Sequence, residues 1–210
     1  MSDAARVFIV DDDQSMRESL RFLLEAAGFA VETFASARAF LDAGGAAKSG
    51  CLVADVRMPE MNGLALQEKL AAEGSRLPVI LMTGHADVPM AVSAMRAGAA
   101  DFIEKPFADE ALIASIRRAL AKAPERERPA APAAVPAEVA DRLARLTPRE
   151  REVLDHLVRG SQHKVIAHEL KISPRTIEVH RARIMQKMEA RNLAHLVRLM
   201  LSGGHEAGKG

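Results

Sequence analysis

Acidic, hydroxyl and basic side chains follow short apolar runs in the first half of this 210-residue sequence. The aspartates Asp11–Asp13 follow the first run and Asp55 a later one, while Thr83 and Lys105 come at the ends of two more. A hard divalent cation, usually Mg²⁺ beside phosphate, relieves the repulsion between clustered carboxylates. A carboxylate can attack phosphorus, and a lysine and a hydroxyl can hold the phosphoryl oxygens. These residue types therefore predict Mg²⁺-assisted phosphoryl chemistry.

Each of these residues also has a plainer interpretation. An acidic triplet is compatible with a solvated turn, and a single aspartate after a strand is more often a helix N-cap than a catalytic group. A lone lysine usually lies on the surface. The shared position at the ends of apolar runs is more specific than any single residue. Because Lys105 precedes Pro106, a cis peptide bond can form there and would help to direct the lysine.

The apolar runs alternate with helical patterns, which is typical of a parallel sheet with helices on both faces. Ligands bind such sheets at the carboxyl ends of the strands, so the polar residues are expected to share one edge. The predicted strands are Val7–Val10, Val31–Phe34, Cys51–Ala54, Val79–Met82 and Asp101–Ile103. The predicted helices are Ser15–Ala27, Leu64–Ala72, Pro89–Ala97 and Asp109–Ala121.

Four segments resemble the receiver domain of two-component response regulators, over about residues 5–120: VDDD at 10–13, DVRMPEMNG at 55–63, TGHADVPMAV at 83–92 and DFIEKPF at 101–107. The resemblance implies an α/β doubly wound, flavodoxin-like domain. It also implies that Asp55 accepts a phosphoryl group from a sensor histidine kinase and loses it by self-dephosphorylation. The implied Mg²⁺ ligands are Asp11, Asp12, Asp55 and the backbone carbonyl of Arg57. The implied switch residues are Thr83, Phe102 and Lys105.

Charge is divided unevenly along the chain, although its 29 basic and 28 acidic residues nearly balance. Residues 1–122 carry 13 basic and 17 acidic side chains, whereas residues 123–210 carry 16 and 11. This asymmetry favours two modules, of which the basic one binds a polyanion. Four prolines within residues 123–136 predict a semi-extended linker. The predicted organisation is a receiver domain at 5–122, a linker at 123–140 and a helix-turn-helix domain at 141–205.

Composition argues for a soluble cytoplasmic protein that has a packed core, since 49% of the residues are hydrophobic. The single cysteine is typical of a reducing compartment. We expect no secretory leader, and no apolar run reaches the ~18–20 residues that span a membrane. The Gly-rich tail from Ser202 is expected to be frayed.

The second half is predicted to be an all-α helix-turn-helix domain. Thr147 and Glu150 form a capping-box signature at the start of one helix, and Ser173 followed by proline predicts the start of a strongly basic one. Two helices joined by a tight turn, the second basic, match a DNA-binding helix-turn-helix. The other predicted helices are His163–Leu170, about Asn192–Leu201 and a short one within residues 137–146.

Three segments resemble the LuxR-type DNA-binding domain, over about residues 143–205: LTPREREVL at 146–154, HKVIAHEL at 163–170 and ISPRTIEVHRARIMQKM at 172–188. Arginine and lysine can neutralise phosphates there, while valine and alanine can contact thymine methyl groups. Three residues depart from the family pattern, since Glu178 and Ala182 occupy often basic positions and His163 one where asparagine is expected. The residues predicted to contact DNA are Lys164, Ser173, Arg175, Thr176, Glu178, Val179, Arg181, Ala182, Arg183 and Lys187.

A receiver followed by a LuxR-type domain is the order of the NarL/FixJ class, and the motifs are most similar to FixJ-like members. The resemblance implies a DNA-binding transcription activator whose partners are a sensor histidine kinase, promoter DNA and RNA polymerase, with no membrane partner. Phosphorylation would drive homodimerisation through the face around residues 89–104. FixJ-like members act on nitrogen-fixation or microaerobic genes and on aromatic degradation, so the pathway stays open. The exposed candidates for the dimer face are Met90, Val92, Met95 and Arg96.

Three other functions are compatible with part of the sequence. A constitutive DNA-binding regulator would have a receiver that does not switch, which the complete set of aspartate, threonine and lysine residues argues against. A phosphorelay carrier would not need a recognition helix. An aspartyl-phosphate phosphatase usually has an acid–base aspartate two residues after its nucleophile, where this chain has Arg57. We therefore expect no enzymatic turnover of an external substrate.

Overall fold

The computed structural model describes residues 4–84, 88–122 and 137–202. Its contacts divide the chain into two units. The first comprises residues 1–85 and 97–129, and the second comprises residues 86–96 and 130–210. The predicted linker segment 123–136 and the predicted frayed tail beyond Ser202 lie outside the described residues.

A five-stranded parallel sheet forms the centre of the first unit. Its strand order, β2-β1-β3-β4-β5, is that of a flavodoxin-like doubly wound fold, as predicted. Every residue of β3 and β4 is buried, which is why these strands are nearly continuous apolar runs in the sequence. The strands are β1 Arg6–Val10, β2 Ala30–Phe34, β3 Cys51–Asp55, β4 Val79–Thr83 and β5 Asp101–Glu104.

The helices that follow these strands match the predicted ones within one residue at each end, with one exception. The sequence patterns did not predict α2, a six-residue helix that Ser36 caps by accepting the N–H of Ala39. Fewer than two turns are too short to show a helical period. The helices are α1 Gln14–Ala26, α2 Ala37–Asp42, α3 Gly63–Ala72, α4 Val88–Arg96 and α5 Asp109–Lys122.

One face of the sheet packs against α1 and α5. Leu20 and Leu24 of α1 and Leu112 and Ile116 of α5 are buried against strand side chains there. Cys51, the only cysteine in the sequence, belongs to this core and is fully buried at the start of β3. The core thus fixes the strands whose carboxyl ends carry the polar residues. The strand side chains in it are Val7, Ile9, Cys51, Val53, Ile80, Met82 and Ile103.

Helix α4 is grouped by its contacts with the second unit. Val92 and Met95 of this helix are 2% and 6% exposed, so the prediction that they are exposed is wrong. An amphipathic helix buries its apolar side within the fold, and these residues lie on that side. Met90 is half-buried, and Arg96 is exposed as predicted.

The rest of the second unit is helical, as predicted. Its helices are α6 Ala137–Ala144, α7 Pro148–Arg159, α8 His163–Leu170, α9 Pro174–Lys187 and α10 Leu193–Ser202. Helix α6 begins inside the range predicted as linker and buries Val139. Apolar residues from α7 to α10 form the buried interior of these helices. They include Val153, Leu157, Ile166, Ile177, Ile184, Leu196 and Met200.

The predicted helix starts in this unit are confirmed. The Thr147 hydroxyl accepts the N–H of Glu150 at 3.2 Å, and the Glu150 carboxylate accepts the N–H of Thr147 at 2.8 Å. The Ser173 hydroxyl accepts the N–H of Thr176 at 3.1 Å. Lys171 has a left-handed backbone (φ 52°) at the end of α8, which allows the short turn into α9.

No helix in the described part of the chain combines the length and the apolar character needed to cross a lipid bilayer.

Candidate functional site

The carboxyl ends of four strands bring the predicted residues to one edge of the sheet. Asp11 directly follows β1, and Asp55 is the last residue of β3. Thr83 ends β4 and pairs in register with Glu104, the residue before Lys105. Because β1, β3, β4 and β5 are successive neighbours in the sheet, residues separated by up to 94 positions in the sequence become close in space.

Lys105 joins the two buried aspartates of this edge. Its Nζ donates to Asp11 Oδ2 at 2.9 Å and to Asp55 Oδ1 at 2.7 Å. The side chains of Asp11, Asp55 and Lys105 are only 2%, 9% and 19% exposed. The three groups therefore form a compact charged cluster that is largely shielded from water. We call it the acidic cluster.

Burial and pairing shift the pKa values of this cluster. Burial raises the pKa of the Asp11 carboxyl, and the hydrogen bond from Lys105 only partly offsets that rise. Burial alone would lower the pKa of Lys105, but its hydrogen bonds to Asp55 and Asp11 outweigh burial and raise it. A further positive charge beside Asp11 would therefore stabilise the ionised form of its carboxyl.

The backbone around Asp55 holds its carboxylate in one orientation. The second oxygen, Oδ2, accepts the N–H of Arg57 at 2.6 Å, while the Arg57 side chain is exposed. The start of α3 lies directly against this segment, since a Cβ on Gly63 would lie 2.4 Å from the Asp55 carbonyl oxygen. Only glycine leaves room for this close approach.

The other two aspartates of the acidic triplet have different environments. Asp13 is the N-cap of α1 and accepts the N–H groups of Ser15 and Met16, which matches the plainer interpretation of a strand-end aspartate. Asp12 is exposed. Among residues 4–84, 88–122 and 137–202, no three or more His, Cys, Asp or Glu side chains are arranged to hold a metal ion. Asp11 and Asp55 are thus the predicted metal ligands that the structure brings together.

Two of the predicted switch residues, Thr83 and Lys105, lie at the same edge, and Phe102 lies earlier on β5, paired with Leu81. Thr83 is fully buried at the end of β4, and Phe102 is buried in β5 at 4% exposure. The Lys105 N–H donates to the Thr83 carbonyl at 2.7 Å, so the two residues share one stretch of backbone pairing. The Lys105–Pro106 peptide bond is cis.

Helix α9 presents an exposed face in the second unit. Arg175, Ala182 and Arg183 are exposed, and Val179 has 46% exposure, which is unusual for a large apolar side chain. Lys164, predicted to contact DNA from α8, is exposed as well. Of the remaining predicted contacts, Ser173 and Glu178 are exposed and Thr176 and Arg181 are partly so. The face is therefore accessible and mainly basic, which suits a polyanion.

Lys187, the last residue of α9, is held by a carboxylate of the same unit. Its Nζ donates to Glu150 Oε2 at 2.6 Å, and Glu150 is 2% exposed. Burial alone would raise the pKa of Glu150, but the hydrogen bonds from Lys187 and Thr147 outweigh burial and lower it. The ion pair joins the start of α7 to the end of α9. A DNA contact by Lys187 stays a prediction.

Comparison with protein families assigns both units. Residues 7–117 match the family described as "Response regulator receiver domain", and residues 144–200 match "Bacterial regulatory proteins, luxR family". The chain belongs to the two-component response regulators with a LuxR-type domain. Such a response regulator is a DNA-binding regulator with a histidine kinase partner, not a classical enzyme. Receiver domains generally bind Mg²⁺ at an aspartate site.

Known response regulators resemble this one over nearly their whole length. The transcriptional regulatory protein FixJ of Bradyrhizobium diazoefficiens is 48% identical over 97% of this chain and 98% of its own. The response regulator protein TodT of Pseudomonas putida is 44% identical over 95% and 87%. The crystal structure of full-length FixJ from B. japonicum covers 95% of this chain and 97% of its own, with 48% identity and a TM-score of 0.55. This response regulator is therefore FixJ-like.

Two supporting residues of the receiver were missed in the sequence. Arg17 Nη1 donates to the backbone carbonyls of Asp11 (2.7 Å) and Asp12 (3.0 Å), and so fixes the loop after β1. Asp101, buried at the start of β5, accepts hydrogen bonds from Ser115 and Arg118 of α5. Arg17 follows the acidic triplet by one helical turn, a spacing that could have indicated its role. Asp101 carries no such signal, because its partners are 14 and 17 residues away.

Proposed function

We propose that this response regulator is a transcription activator whose DNA binding is switched by phosphorylation of Asp55 by a cognate sensor histidine kinase. The observation that carries the proposal is the pairing of Asp55 with Lys105 beside the buried Asp11. A buried carboxylate with a lysine at 2.7 Å has both a nucleophile and a cation ready for a phosphoryl group.

The phosphoryl transfer follows from the position of the Asp55 carboxylate. An Asp55 oxygen attacks the phosphorus of a phosphohistidine on the kinase, and the new P–O bond forms as the P–N bond breaks. The kinase imidazole is the leaving group. Lys105 and Thr83 hold the phosphoryl oxygens, which supplies charge where the transition state needs it. Later attack by water on phosphorus returns the Asp55 carboxylate and inorganic phosphate.

The donor set of the site fits Mg²⁺. Carboxylate oxygens are ligands that this hard cation prefers, and the raised pKa of Asp11 reflects buried acid that a cation would stabilise. The residues that would hold the ion are Asp11, Asp12, Asp55 and the backbone carbonyl of Arg57. When bound, Mg²⁺ neutralises charge on the phosphoryl oxygens.

Phosphorylation is read out by residues of the neighbouring strands. Thr83 and Lys105 would move toward the new phosphoryl oxygens, and Phe102, which lies on β5 before Lys105, would follow. Their backbone pairing at 2.7 Å supports such coupling, because movement at one strand end displaces the other. The rearrangement would promote a homodimer that places two recognition helices, α9 in each copy, on adjacent half-sites of promoter DNA. Two linked contacts raise affinity through effective concentration.

The bound dimer would recruit RNA polymerase and activate transcription. The proposed targets are the nitrogen-fixation or microaerobic genes that the FixJ-like resemblance implies, and the chain is similar to FixJ over 97% of its length. An exposed, mainly basic α9 face supports the DNA-binding step.

The test uses the full-length protein and Asp55→Asn, each incubated with acetyl phosphate and Mg²⁺. We expect the wild type to gain the mass of one phosphoryl group, to become dimeric in size-exclusion chromatography and to bind promoter DNA more tightly. Asp55→Asn should show none of these changes. A wild type that binds DNA equally well with and without the phosphodonor would instead be a constitutive regulator.

A further inference from the structure

Glu178 is the only acidic residue of α9 and lies on its exposed face. Its side chain is 53% exposed, and the same helix carries Arg175, Arg181 and Arg183. A carboxylate on a surface that faces DNA is repelled by the phosphates. Such a residue contributes to binding only where it meets a hydrogen-bond donor, and in the major groove the donors are base amino groups.

Glu178 is held by a residue of the neighbouring helix. Nδ1 of His163, the first residue of α8, lies 2.9 Å from Glu178 Oε1. Arg181 lies 3.7 Å from the second oxygen, Oε2, beyond hydrogen-bond distance. His163 and Glu178 are also two of the three residues that depart from the LuxR-type pattern. The structure shows that these two departures contact each other.

The surroundings of the imidazole decide which of its nitrogens donates. Nε2 of His163 is buried and has no hydrogen-bond partner among the described residues. Nδ1 lies 2.9 Å from a carboxylate oxygen, which can only accept a hydrogen bond when the carboxylate is ionised. The hydrogen therefore belongs on Nδ1, which donates it to Glu178.

This arrangement leaves most of the carboxylate available. An ionised carboxylate has about four acceptor positions, and His163 uses one of them. The remaining positions point to solvent on a side chain that is half exposed. Because a hydrogen bond between partly exposed side chains contributes little to stability, a purely structural tie between α8 and α9 would gain little from this pair. A fixed hydrogen-bond acceptor on the exposed face of α9 would have a larger effect on which base is bound.

We propose that Glu178 is a specificity-determining residue that accepts a hydrogen bond from the exocyclic amino group of a cytosine in the major groove. His163 is its positioning residue, because it fixes the carboxylate without contacting the base. The inference rests on the proposed DNA-binding function and names the base that one position of α9 reads. Cytosine is the base whose amino group pairs with a glutamate acceptor in direct readout.

The test compares four full-length proteins by selection from randomised duplex DNA after treatment with acetyl phosphate and Mg²⁺. They are the wild type, Glu178→Gln, His163→Ala and His163→Asn. We expect Glu178→Gln to lose about tenfold in preference for cytosine at one position of each half-site, and to prefer adenine there, because an amide pairs with adenine N6 and N7. His163→Ala should weaken the same preference, and His163→Asn should restore it, because its amide nitrogen can replace Nδ1 as donor.

A matched control separates base readout from charge. Glu152→Gln removes one negative charge from an exposed carboxylate of α7, paired with Arg149, and should leave every base preference unchanged. Thermal unfolding confirms that each variant is folded. If Glu178→Gln binds all sequences more tightly and keeps the wild-type base preferences, Glu178 is not a specificity residue and the proposal is wrong. If the folded wild type selects no sequence, the proposed DNA-binding function fails, and this inference fails with it.

Discussion

The acidic cluster of the receiver and the exposed face of α9 both gather charges, but they hold them differently. Asp11, Asp55 and Lys105 are nearly enclosed, and each is held by hydrogen bonds of 2.7–2.9 Å. The side chains on α9 stand in water, where salt screens their interactions. The enclosed side chains of the acidic cluster concentrate charge at one point, as the proposed phosphorylation of Asp55 requires. Exposure leaves charges available to a large partner, and their effect then depends on salt and on what binds.

The largest effect is expected from breaking the acidic cluster. Lys105→Ala leaves two buried carboxylates without their cation, so the receiver should lose about 2–4 kcal/mol of unfolding free energy at neutral pH. Urea unfolding followed by circular dichroism measures the loss. The matched control is Arg38→Ala, which breaks an ion pair whose side chains are 66% and 59% exposed, with an expected change below about 0.5 kcal/mol. Equal losses of unfolding free energy in the two variants would mean that burial of the ion pair does not determine its contribution to stability.

A second change tests how tightly the backbone packs around the nucleophile. Gly63→Ala places a Cβ 2.4 Å from the Asp55 carbonyl oxygen, so α3 or the Asp55 segment must move. We expect a loss of about 1–3 kcal/mol in urea unfolding and slower phosphorylation by acetyl phosphate. Gly84→Ala, whose Cβ would have no heavy atom of the described residues beyond its chain neighbours within 4 Å, serves as the control for stability and should be close to neutral. A Gly63→Ala protein as stable and as reactive as the wild type would contradict this account of the edge.

A third change tests a charge of α9 that is paired with a buried carboxylate of the second unit. Lys187→Met should destabilise this unit by about 1–2 kcal/mol at neutral pH, because Glu150 stays buried and loses the cation that pairs with it. Lys164→Met, which removes an exposed lysine of α8, should leave stability unchanged. A Lys187→Met protein of wild-type stability that binds DNA less tightly would show instead that Lys187 is a DNA contact.

The contribution of the Lys187–Glu150 pair to stability should change with pH in a direction that can be measured. The folded-state pKa of Glu150 is lowered, so its contribution to stability is complete above its unfolded value of 4.5 and is lost as the pH falls through the lowered value. The difference in stability between the wild type and Lys187→Met should therefore shrink below pH ~4.5. Thermal unfolding between neutral and acid pH measures it. A difference that grew in acid would reverse the assigned sign.

The smallest effect is expected from a single exposed cation. Arg183→Ala should lower affinity a few-fold for all sequences alike and reduce the slope of log affinity against log salt by about 1, which is typical of one phosphate contact. Fluorescence anisotropy with labelled DNA at several salt concentrations checks this. A change of base preference in this variant would mean that Arg183 reads a base.

Sequence patterns were enough to predict the sheet edge because every residue of the acidic cluster follows a strand. Strand ends in a parallel sheet converge whatever the loop lengths are. The helix starts were predictable for a related reason, since capping involves residues within three positions of one another. Both kinds of prediction rest on local spacing.

The parts that could not be predicted depend on which elements pack together. Neither the Lys187–Glu150 pair nor the His163–Glu178 pair has a local signal, because the partners are 37 and 15 residues apart and belong to different helices. The burial of Val92 was missed for the same reason. An apolar helix side shows that something covers it, but not what does.

The buried position of Cys51 makes its thiol a natural probe of how often the receiver opens. Its thiol is the only one in the sequence and is fully enclosed in the receiver core, four residues before Asp55. Thiol reagents attack the thiolate and need access to it, so they can modify this protein only when the receiver opens. The rate of alkylation therefore measures how often that unit opens, without any added label. Any disulfide-linked dimer on a non-reducing gel must likewise come from molecules that had opened.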